Sequence, residues 1–257
     1  MSGIRWWLAD AVEMVRRNLL HIRRTPELLL DVTVQPIMFV LLFRYVFGGA
    51  ISTGTTSYVN YLIPGIFVQT ITFAAVSTGA LLATDLTKGM IDRFRSLPMS
   101  QSAIITGRTF TDLLRGMLAI GVMTAVGLLV GFRPEGGLWH MAAAYGLLLA
   151  FGFSLAWIGV AAGALVRTPE AVYSMVFLAI FPLTFASSAF VPTETMPSWL
   201  RAFADVQPMT LTINAVRDFV LGGNGGPDLL PAIAWSAGIT ILAFPLSLYF
   251  YRRRTSQ

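Results

Sequence analysis

The chain contains no cysteine, which excludes disulfides, thiol nucleophiles and cysteine-ligated metals. Its two histidines, His21 and His140, lie far apart and have no metal-ligand neighbour at helical spacing, so each reads as a plain interfacial residue and no metal site is expected. No G-x-x-x-x-G-K-[ST] loop occurs, and no glycine-rich dinucleotide fingerprint. The glycines at Gly222, Gly223, Gly225 and Gly226 have no lysine beside them and predict a flexible turn. Ser187 and Ser188 have no histidine or carboxylate close in sequence to activate them. No cofactor and no catalytic residue is therefore expected in this chain, and by itself it is not expected to be an enzyme.

Charge is also scarce. Asp, Glu, Lys and Arg make up 12% of the residues, about half the share usual in soluble domains. The net charge of +5 comes mostly from arginines. They are scattered between apolar runs instead of gathered on one face, so a nucleic-acid partner is not expected.

What remains is apolar. Hydrophobic residues account for 55% of the 257 residues, and the mean hydropathy is +0.69. Such a chain cannot cover its surface with polar groups in water, but in lipid it need not. Six runs are long enough for the roughly 20 helical residues that cross a hydrocarbon core: Leu28–Ala50, Val59–Ala83, Thr109–Phe132, Leu138–Val166, Ala171–Val191 and Leu229–Tyr251. They are continuous and do not alternate apolar with polar, which argues against a barrel. Asp112 and Arg115 share a face of the third span and are expected to pair. Arg44 is placed near the outer end of the first span, where it can snorkel or meet an acidic group. No carboxylate is clearly placed at mid-span.

Basic residues set the orientation. Thirteen fall on one side: Arg5, Arg16, Arg17, Arg23, Arg24, Lys88, Arg93, Arg95, Arg108, Arg167, Arg252, Arg253 and Arg254. Only Arg133, Arg201 and Arg217 fall on the other. Both termini are thus expected in the cytoplasm. Before the first span, Ile4, Trp7, Ala11, Val15, Leu19 and Ile22 recur at spacings of three and four, flanked by arginines. This predicts a helix lying on the inner leaflet; the long apolar run behind it is not laid out as a secretory signal peptide. The expected organisation is one membrane domain over residues 1–257: an interfacial helix (1–26), a six-span region (28–251) and a basic tail (252–257). Between the last two spans, Pro197 and Pro208 each open a predicted short helix at or dipping into the outer interface. The second carries Leu211, Ala215, Val216 and Phe219 as one stripe and stops at Gly222-Gly223.

The segment Asp85–Gln101, DLTKGMIDRFRSLPMSQ, is a charged island between two apolar runs. Leu86, Met90, Phe94 and Leu97 fall on one helical face; Lys88, Asp92 and Arg95 fall on the other. Pattern alone leaves two readings open, a polar linker between spans or a docking element for a soluble partner.

Four motifs carry a resemblance over essentially the whole chain: Val46-Phe-Gly-Gly-Ala50 at the end of the first span, Tyr61-Leu-Ile-Pro-Gly65 in the second, Lys88-Gly-Met-Ile-Asp-Arg-Phe-Arg-Ser-Leu-Pro-Met-Ser100 after it, and Gly107-Arg-Thr-Phe-Thr-Asp-Leu-Leu-Arg115 at the third. In this order they resemble the ABC-2 type exporter permeases, and within them the daunorubicin/doxorubicin-resistance branch. The resemblance implies an all-α fold with six transmembrane helices, an N-terminal interfacial helix and short outer helices before the last span. It implies a multi-pass subunit of the bacterial plasma (inner) membrane that exports an amphipathic or apolar cargo, drug or lipid-like. ATP and magnesium would be held by a separate cytoplasmic ABC ATPase subunit, in two copies, with a second permease copy, identical or homologous, and membrane lipid as further partners. The island would then be the coupling element, through Met90, Asp92, Arg93, Phe94, Arg95 and Leu97. The cargo path would run between copies along the second and fifth spans, which carry Phe67, Gln69, Thr70, Phe73, Phe177, Phe181, Phe185 and Ser188; simple interhelical packing remains open for these aromatics. An ion-gradient transporter and a non-transporting assembly factor are the alternative classes.

Overall fold

The computed structural model describes residues 27–48, 57–87, 101–166 and 168–255. The expected N-terminal helix and the island residues Met90, Asp92, Arg93, Phe94, Arg95 and Leu97 lie outside them, as does the side chain of Asp112 and with it the Asp112–Arg115 pair. Among the described residues there are helices and turns and no strand. In chain order they are α1 (Glu27–Leu42, continued as a π-helical turn Phe43–Phe47), α2 (Tyr58–Thr87), α3 (Gln101–Val130), α4 (Leu138–Leu165), α5 (Pro169–Phe185), a 3-10 turn Thr193–Thr195, α6 (Ser198–Ala204), α7 (Pro208–Val220) and α8 (Leu229–Thr255).

Among the described residues, four helices are long and apolar enough to cross a membrane: α2, the Leu113–Val130 part of α3, α4, and α8 over Leu229–Arg254. The apolar helices Pro36–Phe47 and Pro169–Phe185 are shorter. The periphery is apolar: Leu129 is 88% exposed, Leu178 76% and Leu242 73%. Large exposed apolar side chains in this number mark a surface that meets lipid or another protein. Hydroxyls within the helices are turned back onto their own backbones. Thr70 donates to the Ile66 carbonyl, Thr72 to Val68 and Thr124 to Ile120, which satisfies them where no water is present.

The helix ends follow from identifiable residues. Gly131 takes φ +105° after α3, and the Phe132 amide returns to the Gly127 carbonyl at 2.8 Å, a Schellman stop. α7 ends the same way: Gly222 has φ +89°, and the Gly223 amide donates to the Asp218 carbonyl at 2.9 Å. α5 starts with Thr168 accepting the Ala171 amide at 3.3 Å, Pro169 in its first turn and Glu170 at its positive end. It stops at Phe185, six residues before the expected end of the fifth span. Pro182 removes one backbone donor there, and residues 186–190 form successive turns.

α2 and α4 form the centre. Their backbones meet at glycines: a Cβ on Gly159 would overlap the Ala75 carbonyl, and one on Gly163 would overlap the Gly79 carbonyl. Gly159 and Gly163 are four apart on α4, the spacing that lets two helices approach closely in lipid. α8 packs along α4, and α5 packs on α2 and less on α4. The outer helices differ from one another. α6 keeps to the surface, with Trp199 73% and Phe203 46% exposed. α7 is wedged against α2, α4 and α8, with Leu211, Ala215, Val216 and Phe219 all buried.

Candidate functional site

The aromatic residues of α5 recur at intervals of four and form one ladder. Phe177 lies 5.2 Å from Phe181, centroid to centroid, and Phe181 lies 4.6 Å from Phe185. Phe185 continues to Phe190 at 5.3 Å, and Phe190 stacks on Phe43 of the π-helical turn at 4.3 Å. From α2, Phe73 joins at 6.0 Å from Phe177. Phe177, Phe181 and Phe185 are each exposed on their outer faces. The result is a continuous aromatic strip beside the seam between α2 and α5, closed beyond Phe185 by the end of α1.

The other residues expected on the path are placed differently. Phe67 is buried and points into the bundle, edge-on to Phe132 and Tyr145. Six residues separate it from Phe73, which turns a helix through about 240°, so the two cannot share a face. Thr70 is buried with its hydroxyl on its own helix. Ser188 is buried beyond the end of α5, and its hydroxyl donates to the Asn214 side-chain oxygen at 2.7 Å. Gln69 is buried, and its amide nitrogen has no hydrogen-bond partner. It lies one turn from Phe73 on one side and one turn from Gly65 on the other, where a Cβ would overlap the Ala189 carbonyl. An unmet amide donor here costs about 1–3 kcal/mol, and it sits on the face of α2 that meets α5.

Outside this seam, a polar cluster holds the end of the bundle at which α2 begins and α5 stops. Arg217, on α7, donates from Nε and Nη2 to the Tyr61 carbonyl at 3.2 and 3.1 Å. Nη2 also reaches the Ser188 carbonyl at 2.7 Å, and Nη1 reaches the Asn214 side-chain oxygen at 2.9 Å. Its guanidinium lies 3.7 Å over the Tyr61 ring, a cation–π contact. Removal from water pushes the Arg217 pKa below its ordinary value, opposed by Tyr61 and Glu194. Asn214 in turn donates to Asp228 at 2.9 Å. Gln207, at the start of α7, donates to the Leu183 carbonyl at 3.1 Å and to the Ala186 carbonyl, so it satisfies the end of α5. Asn60 exchanges two hydrogen bonds of 2.9 Å with the backbone of Arg133. By sequence Arg217 was only one of three outer charges. The spacing of Asn214 and Arg217 on one helix face was the available hint, but carbonyl acceptors leave no mark in a sequence. At the opposite end, Arg254 of the basic tail donates to the carbonyls of Gly163 at 3.0 Å, Ala164 at 3.3 Å and Val166, closing the C-terminus of α4.

The family model for the ABC-2 type transporter matches residues 11–221. A daunorubicin resistance ABC transporter permease protein, DrrB1 of Streptomyces coeruleorubidus, is 37% identical over 240 residues, covering 93% of this chain and 85% of that protein. A probable doxorubicin resistance ABC transporter permease protein, DrrC of Mycobacterium tuberculosis, is 25% identical over 260 residues, covering 99% and 92%. A putative transport permease of Cyanophora paradoxa, ycf38, is 24% identical over 217 residues, covering 82% and 74%. A family match over most of the length, on a helical bundle with an apolar periphery, means that the chain belongs to the ABC-2 type transporter family.

Proposed function

We propose that this chain is the membrane-spanning permease subunit of an ATP-driven exporter that moves an amphipathic or apolar cargo out of the cytoplasm or the inner leaflet. The observation that carries this reading is the exposed aromatic strip of Phe177, Phe181 and Phe185, joined by the half-buried Phe73 and the unmet amide of Gln69, on the seam between α2 and α5. Aromatic faces bind flat, apolar molecules by stacking, and a single polar group orients them. Membership in the family, and its daunorubicin and doxorubicin resistance relatives, support a drug-like or lipid-like cargo. α1 and α5 complete six crossings in this reading, with both termini in the cytoplasm of a bacterial inner membrane. A second permease copy faces the aromatic strip, and two ATPase subunits, which hold ATP and magnesium, bind from the cytoplasm.

The coupling element in this reading is the island. Phe94 and Leu97 anchor in a groove of the ATPase, and Arg93 and Arg95 face its acidic rim, with Met90 and Asp92 completing the contact. Truncating Phe94 to Ala should cost about 2 kcal/mol of association. Arg95→Glu should weaken docking most at low salt, where the introduced repulsion is least screened. Pull-down of the ATPase, with export and membrane levels measured in parallel, is the check. Normal levels with undiminished pull-down and export in both variants would refute the role of the island.

A further inference from the structure

Among the described residues α5 packs mainly on α2 and, to a smaller extent, on α4, and it meets α7 at Thr184 and Met209. Its long contact with α2 joins aliphatic side chains, Ala80 and Ala83 with Val172, Val176 and Ile180, and one ring pair, Phe73 and Phe177. Apolar contacts of this kind can part without stranding a polar group. The polar ties of α5 and the turn after it are concentrated at its outer end; apart from the Tyr58 hydroxyl of α2, which donates to the Phe190 carbonyl at 3.3 Å, they come from α7. Gln207 takes the carbonyls of Leu183 and Ala186, and Arg217 takes the carbonyl of Ser188.

Arg217 does more than finish a helix end. The same guanidinium that holds Ser188, just past α5, holds the Tyr61 carbonyl on the outer turn of α2. It therefore bridges the two helices that border the aromatic seam, at the outer mouth of that seam. The bridge is redundant on both sides. Tyr61 also supplies its ring face at 3.7 Å, and Ser188 is tied a second time through its hydroxyl to Asn214, which Arg217 also contacts. Among the described residues, every acceptor on the guanidinium is neutral. Releasing it therefore strands no buried carboxylate, and water at the outer surface can replace carbonyl acceptors one for one. A buried ion pair in the same place would resist opening far more strongly.

We propose that Arg217 is a positioning residue, a reversible clasp that keeps the outer ends of α2 and α5 together, and that its release opens the α2–α5 seam to the outside. This rests on the reading of that seam as the cargo path. Gln207 is the second catch, holding α5 to α7 whether or not Arg217 is engaged.

The absence of native cysteine makes a direct test possible. Gln69→Cys places a single thiol on the face of α2 that meets α5, in the full chain assembled with its natural partners. Intact cells are treated with a charged, membrane-impermeant maleimide. The clasp predicts slow labelling in the parent and labelling at least about five-fold faster with Arg217→Ala or Arg217→Lys, because lysine keeps the charge but cannot fork between two carbonyls. Gln207→Ala should add a further increase in either background. Unchanged labelling in both Arg217 variants at normal membrane levels would overturn the proposal. Loss of both variants from the membrane would also overturn it, by making Arg217 a folding residue. Labelling does not depend on which molecule is exported. A chain that exports nothing but still opens on loss of Arg217 would refute the exporter reading and leave the clasp standing.

Discussion

Single residues in this bundle matter where no substitute has the same shape or the same pair of hydrogen-bonding groups. Gly163 is one case: its α-carbon faces the α2 backbone at Gly79 with no room for a side chain. Gly163→Val should push α2 and α4 apart and cost at least about 1–3 kcal/mol, the range for overpacking a core. Thermal unfolding of the detergent-purified protein should show a lowered midpoint, while Gly146→Ala, where a Cβ would meet open space, should leave it unchanged. Asn60 is a second case. Its amide both donates to and accepts from the Arg133 backbone, so Asn60→Leu strands a carbonyl and an amide together. The expected loss is about 2 kcal/mol or more, read in the same unfolding measurement. Neither cost is visible in the sequence. Gly159 and Gly163 are at a recognisable spacing, but what they approach is set by the tertiary fold.

At the scale of elements, the sequence was most legible where local chemistry decides. Pro197, Pro208 and Gly222-Gly223 marked the starts and stop of the two outer helices, because proline and glycine act through backbone geometry that needs no neighbour. Phe177, Phe181 and Phe185 were legible as one face of α5 by their spacing of four. α2 was harder to read. Nearly all of it is apolar, so periodicity does not separate the face with Phe67, turned inward, from the face with Gln69 and Phe73, turned to α5. The burial of α7 was half legible: its apolar stripe was plain, but its wedging among three long helices depends on contacts far away in sequence. The end of α5 at Phe185 depends in the same way on Gln207 and Arg217, which lie more than twenty residues later and supply the donors for the carbonyls released there.

For the molecule as a whole, the thirteen-to-three distribution of basic residues sets the expected topology. Single cysteines at Ser100 and Gln257 should be protected from an impermeant thiol reagent in intact cells. Outer positions need some choice. A side chain at Gly136 would overlap the Phe219 carbonyl, and Gly225 has φ +95°, so cysteine at either is strained. Gly137, with open space around it, and the exposed Asn224 are the sites to use, and both should label readily. Labelling at Ser100→Cys with silence at Asn224→Cys would invert the topology and remove the cytoplasmic ATPase from the island.

α2 is one unbroken helix from Tyr58 to Thr87, and this gives it a mechanical property. Its Thr87 end adjoins the island, and near its Tyr58 end lies the carbonyl that Arg217 grips. Between them, Ala75 and Gly79 bear on α4, and Gly79 is the contact nearer Thr87. Gly79 is eight residues from Thr87 and eighteen from Tyr61, so the arms are about 12 Å and 27 Å at the rise of an α-helix. If α2 rocks there as a rigid rod, an ångström of travel at the Thr87 end becomes about two, in the opposite direction, at the Tyr61 end. Leverage of that kind would let a small push at the island strain the contacts of Arg217, with α2 itself as the linkage.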